Sequence, residues 1–241
     1  MSDQGADPVD TIRASLLQAL RSHRDPLEAL VRTCQASLEV LAADGMSVAV
    51  ATGSGYPQTV FASDETVERI ESLQFTLGVG PCIESIAERG PVLVPDLAES
   101  SDRWPVLVSE LATLPVGAIF AFPLQAGSIA LGSLNLYRNA PGFLDTTELA
   151  RALRIGDVIT IALLGLAAVE HDAELDRRLA HAPHNSDVVH QATGMLVSHY
   201  QIPASAALVR LRAYAFASGR LVEEVARLLT TRQLRLEDID A

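Results

Sequence analysis

Two strand-like runs, VGAIFAFPLQ (116–125) and SIALGSLNLYR (128–138), stand with only Ala126 and Gly127 between them. Apolar runs joined by so short a connection must pair antiparallel, because a parallel crossover needs a dozen or more residues. Further strand-like runs occur at 46–53 and 57–63, around a cluster of turn residues, and at PVLV (91–94). The hairpin therefore belongs at the centre of an antiparallel sheet.

Helical patterns surround these strands. TIRASLLQALRSH (11–23) is followed by a second helix over 25–43, where Asp25 and Pro26 supply an N-cap and a first helical residue. Leu27, Leu30, Val31, Cys34, Leu38 and Leu41 recur at helical spacing, which makes Cys34 a small core residue rather than a nucleophile. DETVERIESLQF (64–75) is helical, and a long helix is expected from Thr146 to about Leu179. Its stretch VITIALLGLAAV (158–169) falls short of the roughly 18 apolar residues a membrane span needs. The apolar surface nevertheless extends well around the cylinder, so the helix is expected to pack on the sheet and against a second copy of itself. HAPHN (181–185) ends it, and three shorter helices complete the chain.

Composition removes several classes of function. All 18 basic residues are arginine, so no Walker A lysine, Schiff-base lysine or pyridoxal-type site exists. Two cysteines are too few for a disulfide framework, and the N-terminal segment lacks the pattern of an export signal; a cytoplasmic location is expected. His181 and His184 flank a proline in a polar linker without a ligand set at known spacing, and Asp172, Glu174 and Asp176 read as a solvated helix face. No metal and no cofactor are expected.

The glycine-rich run LGVGPCIES (77–85) could present backbone amides to an anion, or lower the pKa of Cys82 at a helix start. It contains neither GxGxxG nor a lysine, and no histidine lies between His23 and His171 to serve as a base. A turn shaping the lip of a pocket is the expected role, and no catalytic residue is assigned.

Charge is divided unevenly. Residues 1–176 hold ten arginines against 24 acidic residues, whereas residues 177–241 hold eight against six. An acidic body thus carries a basic C-terminal module, within a chain of net charge −12.

The succession LGVGPCIESIAERGPVLVPDLAESSDRWP, then VGAIFAFPLQAGSIALGSLNLYR, resembles the GAF domain of actinobacterial signalling proteins over about residues 26–170. The resemblance implies an α+β fold: an antiparallel sheet flanked by helices, with a cavity that many relatives use to sense small molecules. Gly80, Cys82, Trp104 and Phe122 are the residues expected at that pocket. The stretch VVHQATGMLVSHYQIPASAALVRLRAYAFASGRLVEEVARLL resembles the ANTAR domain, a three-helix RNA-binding antitermination module. Matching positions are Gln191, Ala192 and Gly194, then Ala207, Leu211, Arg212 and Ala213, then Leu221, Val225 and Ala226. Many relatives carry lysine where this chain has Thr193, which removes one phosphate contact. The organisation expected is an N-terminal helical segment (1–25), a GAF-like domain (26–170), a connector (171–184) and an ANTAR-like domain (185–241).

The residues of this module bear on RNA binding separately. At about 100° per residue, Ala207, Leu208, Leu211, Ala215 and Ser218 form the inner face of its second helix, while Val209, Ala213, Phe216 and Ala217 lie opposite. Arg210 and Arg212 project to either side of the core face. Alanine permits close approach, arginine pairs with phosphate, and an aromatic ring stacks on an unpaired base. The bland reading packs this face on the long helix or a dimer mate; the resemblance favours RNA. The first helix turns Val188, Ala192, Met195 and Leu196 inward, and the third buries Leu221, Val222, Val225, Leu228 and Leu229. The expected RNA-binding set is Gln191, Thr193, Gly194, Ser198, Arg210, Arg212, Ala213, Phe216 and Arg220. The expected partners are RNA hairpins, a second copy of the chain and a small molecule at the GAF-like cavity. A DNA-binding regulator is the alternative, since three short arginine-bearing helices also suit a major groove. An enzyme built on the sensor domain alone is a third.

Overall fold

The computed structural model describes residues 7–22, 25–51, 57–169 and 186–240. Strands β1 (Gly45–Ala51), β2 (Pro57–Ala62), β3 (Val92–Val94), β4 (Ala118–Ala126) and β5 (Ile129–Arg138) form one sheet in the order β2-β1-β5-β4-β3. All neighbouring pairs are antiparallel, and the expected hairpin pairs β4 with β5 from Ala118 opposite Arg138 to Ala126 opposite Ile129, placing β5 at the centre.

The strand period of two splits the side chains between two cores. Phe120, Phe122 and Leu124 of β4, with Leu134 and Leu136 of β5, face α1 (Pro8–Arg21), α2 (Pro26–Leu38) and α6 (Thr146–Val169). Cys34 lies in this core, fully buried, as its helical spacing required. Ile119, Ala121 and Tyr137 point the other way, into a core completed by Val67, Ile70, Trp104, Leu107 and Leu111. Those residues come from α3 (Glu65–Leu77), α5 (Pro105–Leu111) and the turn before it, and α4 (Pro81–Glu88) packs beside them on β4 and β5.

Side-chain caps set where helices begin. Asp7, Asp25 and Asp64 accept the amide hydrogens of Val9, Leu27 and Val67 at 2.9, 2.9 and 3.0 Å, each such cap being worth about 1 kcal/mol. Proline follows the first two caps, where a missing amide hydrogen costs nothing. Helix α1 belongs to the same core as the sheet: Val9, Ile12 and Leu16 are buried there, and Arg154 of α6 pairs with Asp7 and Asp10 at 2.6 and 2.8 Å.

Helix α6 buries Ile155, Val158, Ile159, Ala162, Leu163 and Leu166, yet leaves Leu153 and Leu164 45% and 42% exposed. The expected continuation from Glu170 to Leu179 lies outside the described residues, as do the HAPHN break, His181, His184 and the acids Asp172, Glu174 and Asp176.

Three helices, α7 (Ser186–Tyr200), α8 (Ala204–Ala217) and α9 (Val222–Thr230), and a short 3-10 turn (Leu236–Asp240) form the C-terminal module. Its core holds Val189, Ala192, Leu196, Ala207, Leu211, Ala215, Val222, Val225, Ala226 and Leu229. Val188 and Met195, expected inside, are half-buried, and Leu221 and Leu228 likewise. The two domains interlock: Phe75 of α3 packs against the helical core, and Leu221 packs against the core beneath α3.

Candidate functional site

The outer surface of α7 and α8 is assembled from residues the two helices leave after filling their core. On α8, Val209 and Phe216 are 55% and 57% exposed, and Ala213 and Ala217 are exposed beside them, so the face deduced from helical spacing is open. Arg220 is exposed just beyond the helix. On α7, Gln191, Gly194 and Ser198 are exposed, and a Cβ added at Gly194 would meet nothing within 4 Å. Thr193 is half-buried and its hydroxyl donates to the Val189 carbonyl at 2.7 Å, so that oxygen serves its own helix.

The arginines differ from one another. Arg210 is half-buried with its guanidinium 4.9 Å from the centre of the Tyr200 ring. Arg212, expected at the rim of the face, is only 8% exposed, and its guanidinium lies 4.7 Å from the Phe75 ring of the sheet domain. Helical spacing within the module sets it off the core face; the neighbouring domain, which no single-helix projection contains, covers it. The structure thus leaves Gln191, Gly194, Ser198, Ala213, Phe216 and Arg220 each exposed and covers Arg212.

The four expected pocket residues are not gathered in one place. Gly80 caps α4 at φ 134°, a conformation suited to glycine, and the Gln74 side chain fills the space a Cβ would take. Cys82 is buried, and its backbone amide donates to Gln74 Oε1 at 2.9 Å. Trp104 is buried with its Nε1–H donating to Glu84 Oε1 at 2.7 Å, while Arg103 stacks on its ring and pairs with the same carboxylate. Phe122 sits on the opposite face of the sheet, because even positions of β4 point toward α6. An open groove of about 250 Å³ lies between α1 and α2, on Phe122's side of the sheet, and contains none of the four.

What lies between the sheet and α3 is a buried polar chain. Ser133 Oγ donates to Asn135 Oδ1 at 2.6 Å, Asn135 Nδ2 donates to Ser47 Oγ at 3.2 Å, and Ser47 Oγ donates to Glu71 Oε1 at 2.9 Å. Burial pushes the Glu71 carboxyl up to about 7, against the pull of hydrogen bonds from Ser47, Cys82 and Asn135. Burial, and next the Glu71 charge, push the Cys82 thiol up; burial alone raises that of Cys34. Neither sulfur is poised as a thiolate. Ser85 Oγ, on α4, is buried without a hydrogen-bond partner among the described residues. The sequence did carry a signal for the chain: Val67, Glu71 and Gln74 share a helical stripe, and Ser133 and Asn135 alternate with Leu134 and Leu136. Among the described residues, no group of three or more His, Cys, Asp or Glu is placed to hold a metal ion. No described helix is long and apolar enough to cross a membrane.

Comparison with known proteins agrees with this geometry. The GAF domain model matches residues 23–164 and the ANTAR domain model residues 177–229. The chain belongs to the GAF domain family and carries an ANTAR domain at its C-terminal end. A sensor domain is thereby joined to an RNA-binding antitermination domain, which makes the protein a regulator in signal transduction. No curated protein matches the chain. Similar solved structures include the GAF domain of an Acinetobacter phosphoenolpyruvate-protein phosphotransferase, 13% identical with a TM-score of 0.53, covering 71% of this chain and 99% of that one. The corresponding domain from Coxiella burnetii is 15% identical, TM-score 0.52, covering 67% and 96%. A phycoerythrobilin-bound GAF domain from a cyanobacterial phytochrome is 12% identical, TM-score 0.52, covering 68% and 98%. At these identities the likeness establishes the fold alone.

Proposed function

We propose that the protein binds paired stem-loops in nascent transcripts as a dimer and thereby keeps a terminator from forming, under control of a signal at the GAF domain. The observation that carries this is the open face of α8, where Val209, Ala213, Phe216 and Ala217 stand away from the module's core with Arg220 at its edge. An apolar face with an aromatic ring and small neighbours suits close approach to unpaired loop bases, and arginine adds phosphate contact. Binding alone performs this function and it needs no bond-making step. Work on nascent transcripts belongs in the cytoplasm.

The units of the mechanism are an N-terminal helical segment (1–25), the sensor (26–170), a connector (171–184) and the RNA-binding module (185–241). Two modules held together gain effective concentration on two loops of one RNA, so a weak single contact suffices. Leu153 and Leu164, three turns apart on α6 and both exposed, supply the seam for a second copy. The buried chain ending on Glu71 is where a small molecule would exchange its own polar groups for those of Ser47, Asn135 and Gln74.

The test is a titration of tandem-hairpin RNA with the full chain and with Phe216→Ala. Losing one base-stacking ring costs about 1–3 kcal/mol, so affinity is expected to fall about tenfold with the melting temperature unchanged. Equal affinity in the two proteins would remove the α8 face from the account.

A further inference from the structure

We infer that helix α3 of the sensor is an autoinhibitory latch: it covers Arg212 and ties down the start of α9, and RNA binding at full strength requires its release. The inference rests on the RNA-binding reading above and concerns how that site is controlled.

Three contacts form the latch. The Phe75 ring lies 4.7 Å from the Arg212 guanidinium, and Gly78, the left-handed C-cap of α3 at φ 72°, adjoins that side chain, a Cβ there falling in ordinary contact at 3.4 Å from Arg212 Nη1. Thr76 Oγ1 accepts the amide hydrogen of Val222 at 3.1 Å in a buried setting. Glu223, half-buried on α9, lies close enough to Ser72 and Arg69, both on α3, for each to favour its charged form against the burial that opposes it.

The second contact explains a local anomaly of sequence. Helix α9 has Leu221 at its N-cap, a residue whose side chain cannot accept an amide hydrogen and which ranks among the poorest caps. Two of its early amides are satisfied otherwise: Leu221 by the Glu224 carboxylate at 3.0 Å, and Val222 by Thr76 of the other domain. Leu221 meanwhile inserts into the core beneath α3, and Phe75 into the core of the helical module. The helix that completes the RNA-binding module is therefore capped and anchored by the sensor.

The latch is also placed to respond to the sensor's interior. Glu71 and Gln74 line the buried polar chain, whereas Ser72, Phe75 and Thr76, their immediate neighbours, hold the RNA-binding module. A helix this short moves as a rigid rod, so a ligand that reorders Glu71 and Gln74 displaces the latch residues beside them. A ligand shifts the population only by its differential affinity for the closed and released forms, and RNA affinity scales with the released fraction.

The experiment opens the latch from its sensor side in the full chain, with Phe75→Ala/Thr76→Ala, and from the other side with Leu221→Ala. Two readouts are taken: phenylglyoxal modification of Arg212 by mass spectrometry, with Arg220 as internal reference, and affinity for tandem-hairpin RNA. Circular dichroism and a cooperative thermal melt report that the modules stay folded. The expected result is slow modification of Arg212 in the wild type, severalfold faster modification in the opened variants, and RNA affinity raised about tenfold. Adding Arg212→Ala to Phe75→Ala/Thr76→Ala should abolish the gain. Arg212 modified as fast as Arg220 in the wild type would show that no latch exists. Faster modification with unchanged RNA affinity would show that the covered arginine takes no part in RNA binding and overturn the inhibitory role. If the wild type and every opened variant alike fail to bind RNA while Arg212 becomes reactive, the RNA-binding reading fails with the inhibition inferred from it, and the conformational release itself stands.

Discussion

Glu71 shows how far a single buried carboxyl departs from its surface behaviour. Its folded-state value of about 7 lies above the ordinary 4.5, so between these the folded chain holds a proton that the unfolded chain has lost. Stability from this group is therefore present at acidic pH and is lost as pH rises through about 7. The size of that loss is at most about 3.5 kcal/mol, from roughly 1.4 kcal/mol per pKa unit. Glu71→Gln cannot titrate, and urea unfolding at pH 5 and pH 8 should show a smaller fall in its stability than in the wild type. Identical falls in both proteins would place Glu71 outside the pH response. At this scale the sequence was partly legible. Helical spacing identified Cys34 as core and Val209, Ala213 and Phe216 as an outer face, because both depend only on a residue's own helix. Arg212 and Phe122 were not legible in this way: one is covered by another domain, and the other takes its side from the register of β4.

Elements carry the next layer of the account. The β4–β5 hairpin and its central place were legible because a two-residue gap between apolar runs admits one pairing, whereas the pairing of β1 with β5, which joins strands far apart in the chain, was not. Helix α3 was recognised as a helix by its periodicity, but its two-sidedness was not. Its inner stripe mixes Val67 and Ile70 with Glu71 and Gln74, and polar residues on a buried face read as surface until their partners on the sheet are known. Helix α6 satisfies the expectation of packing on the sheet side through Ile155, Ile159 and Leu166, and keeps Leu153 and Leu164 outward. An aspartate at both positions places charge in the proposed seam without touching the core. Leu153→Asp/Leu164→Asp is expected to run as a monomer in light scattering at micromolar concentration where the wild type runs as a dimer, with an unchanged circular dichroism spectrum. A wild-type monomer, or a dimer that survives the substitutions, would move the seam elsewhere.

At the scale of the whole molecule, an acidic sensor holds a basic helical module through α3, and the two domains share Phe75 and Leu221 across their boundary. The net negative body disfavours indiscriminate contact with nucleic acid, so in the proposed function the open face of α8 recognises shape and exposed bases rather than phosphate alone. That distinction separates an RNA-loop reader from a major-groove reader built of the same three helices. The measurement that tests it is competition, at one fixed salt concentration, between a tandem-hairpin RNA and a DNA duplex of equal length for the full chain. Binding of the tandem hairpin at least tenfold tighter than duplex, and loss of that margin when the loop bases are paired, is the predicted result; duplex DNA bound as tightly as the hairpins would contradict the account.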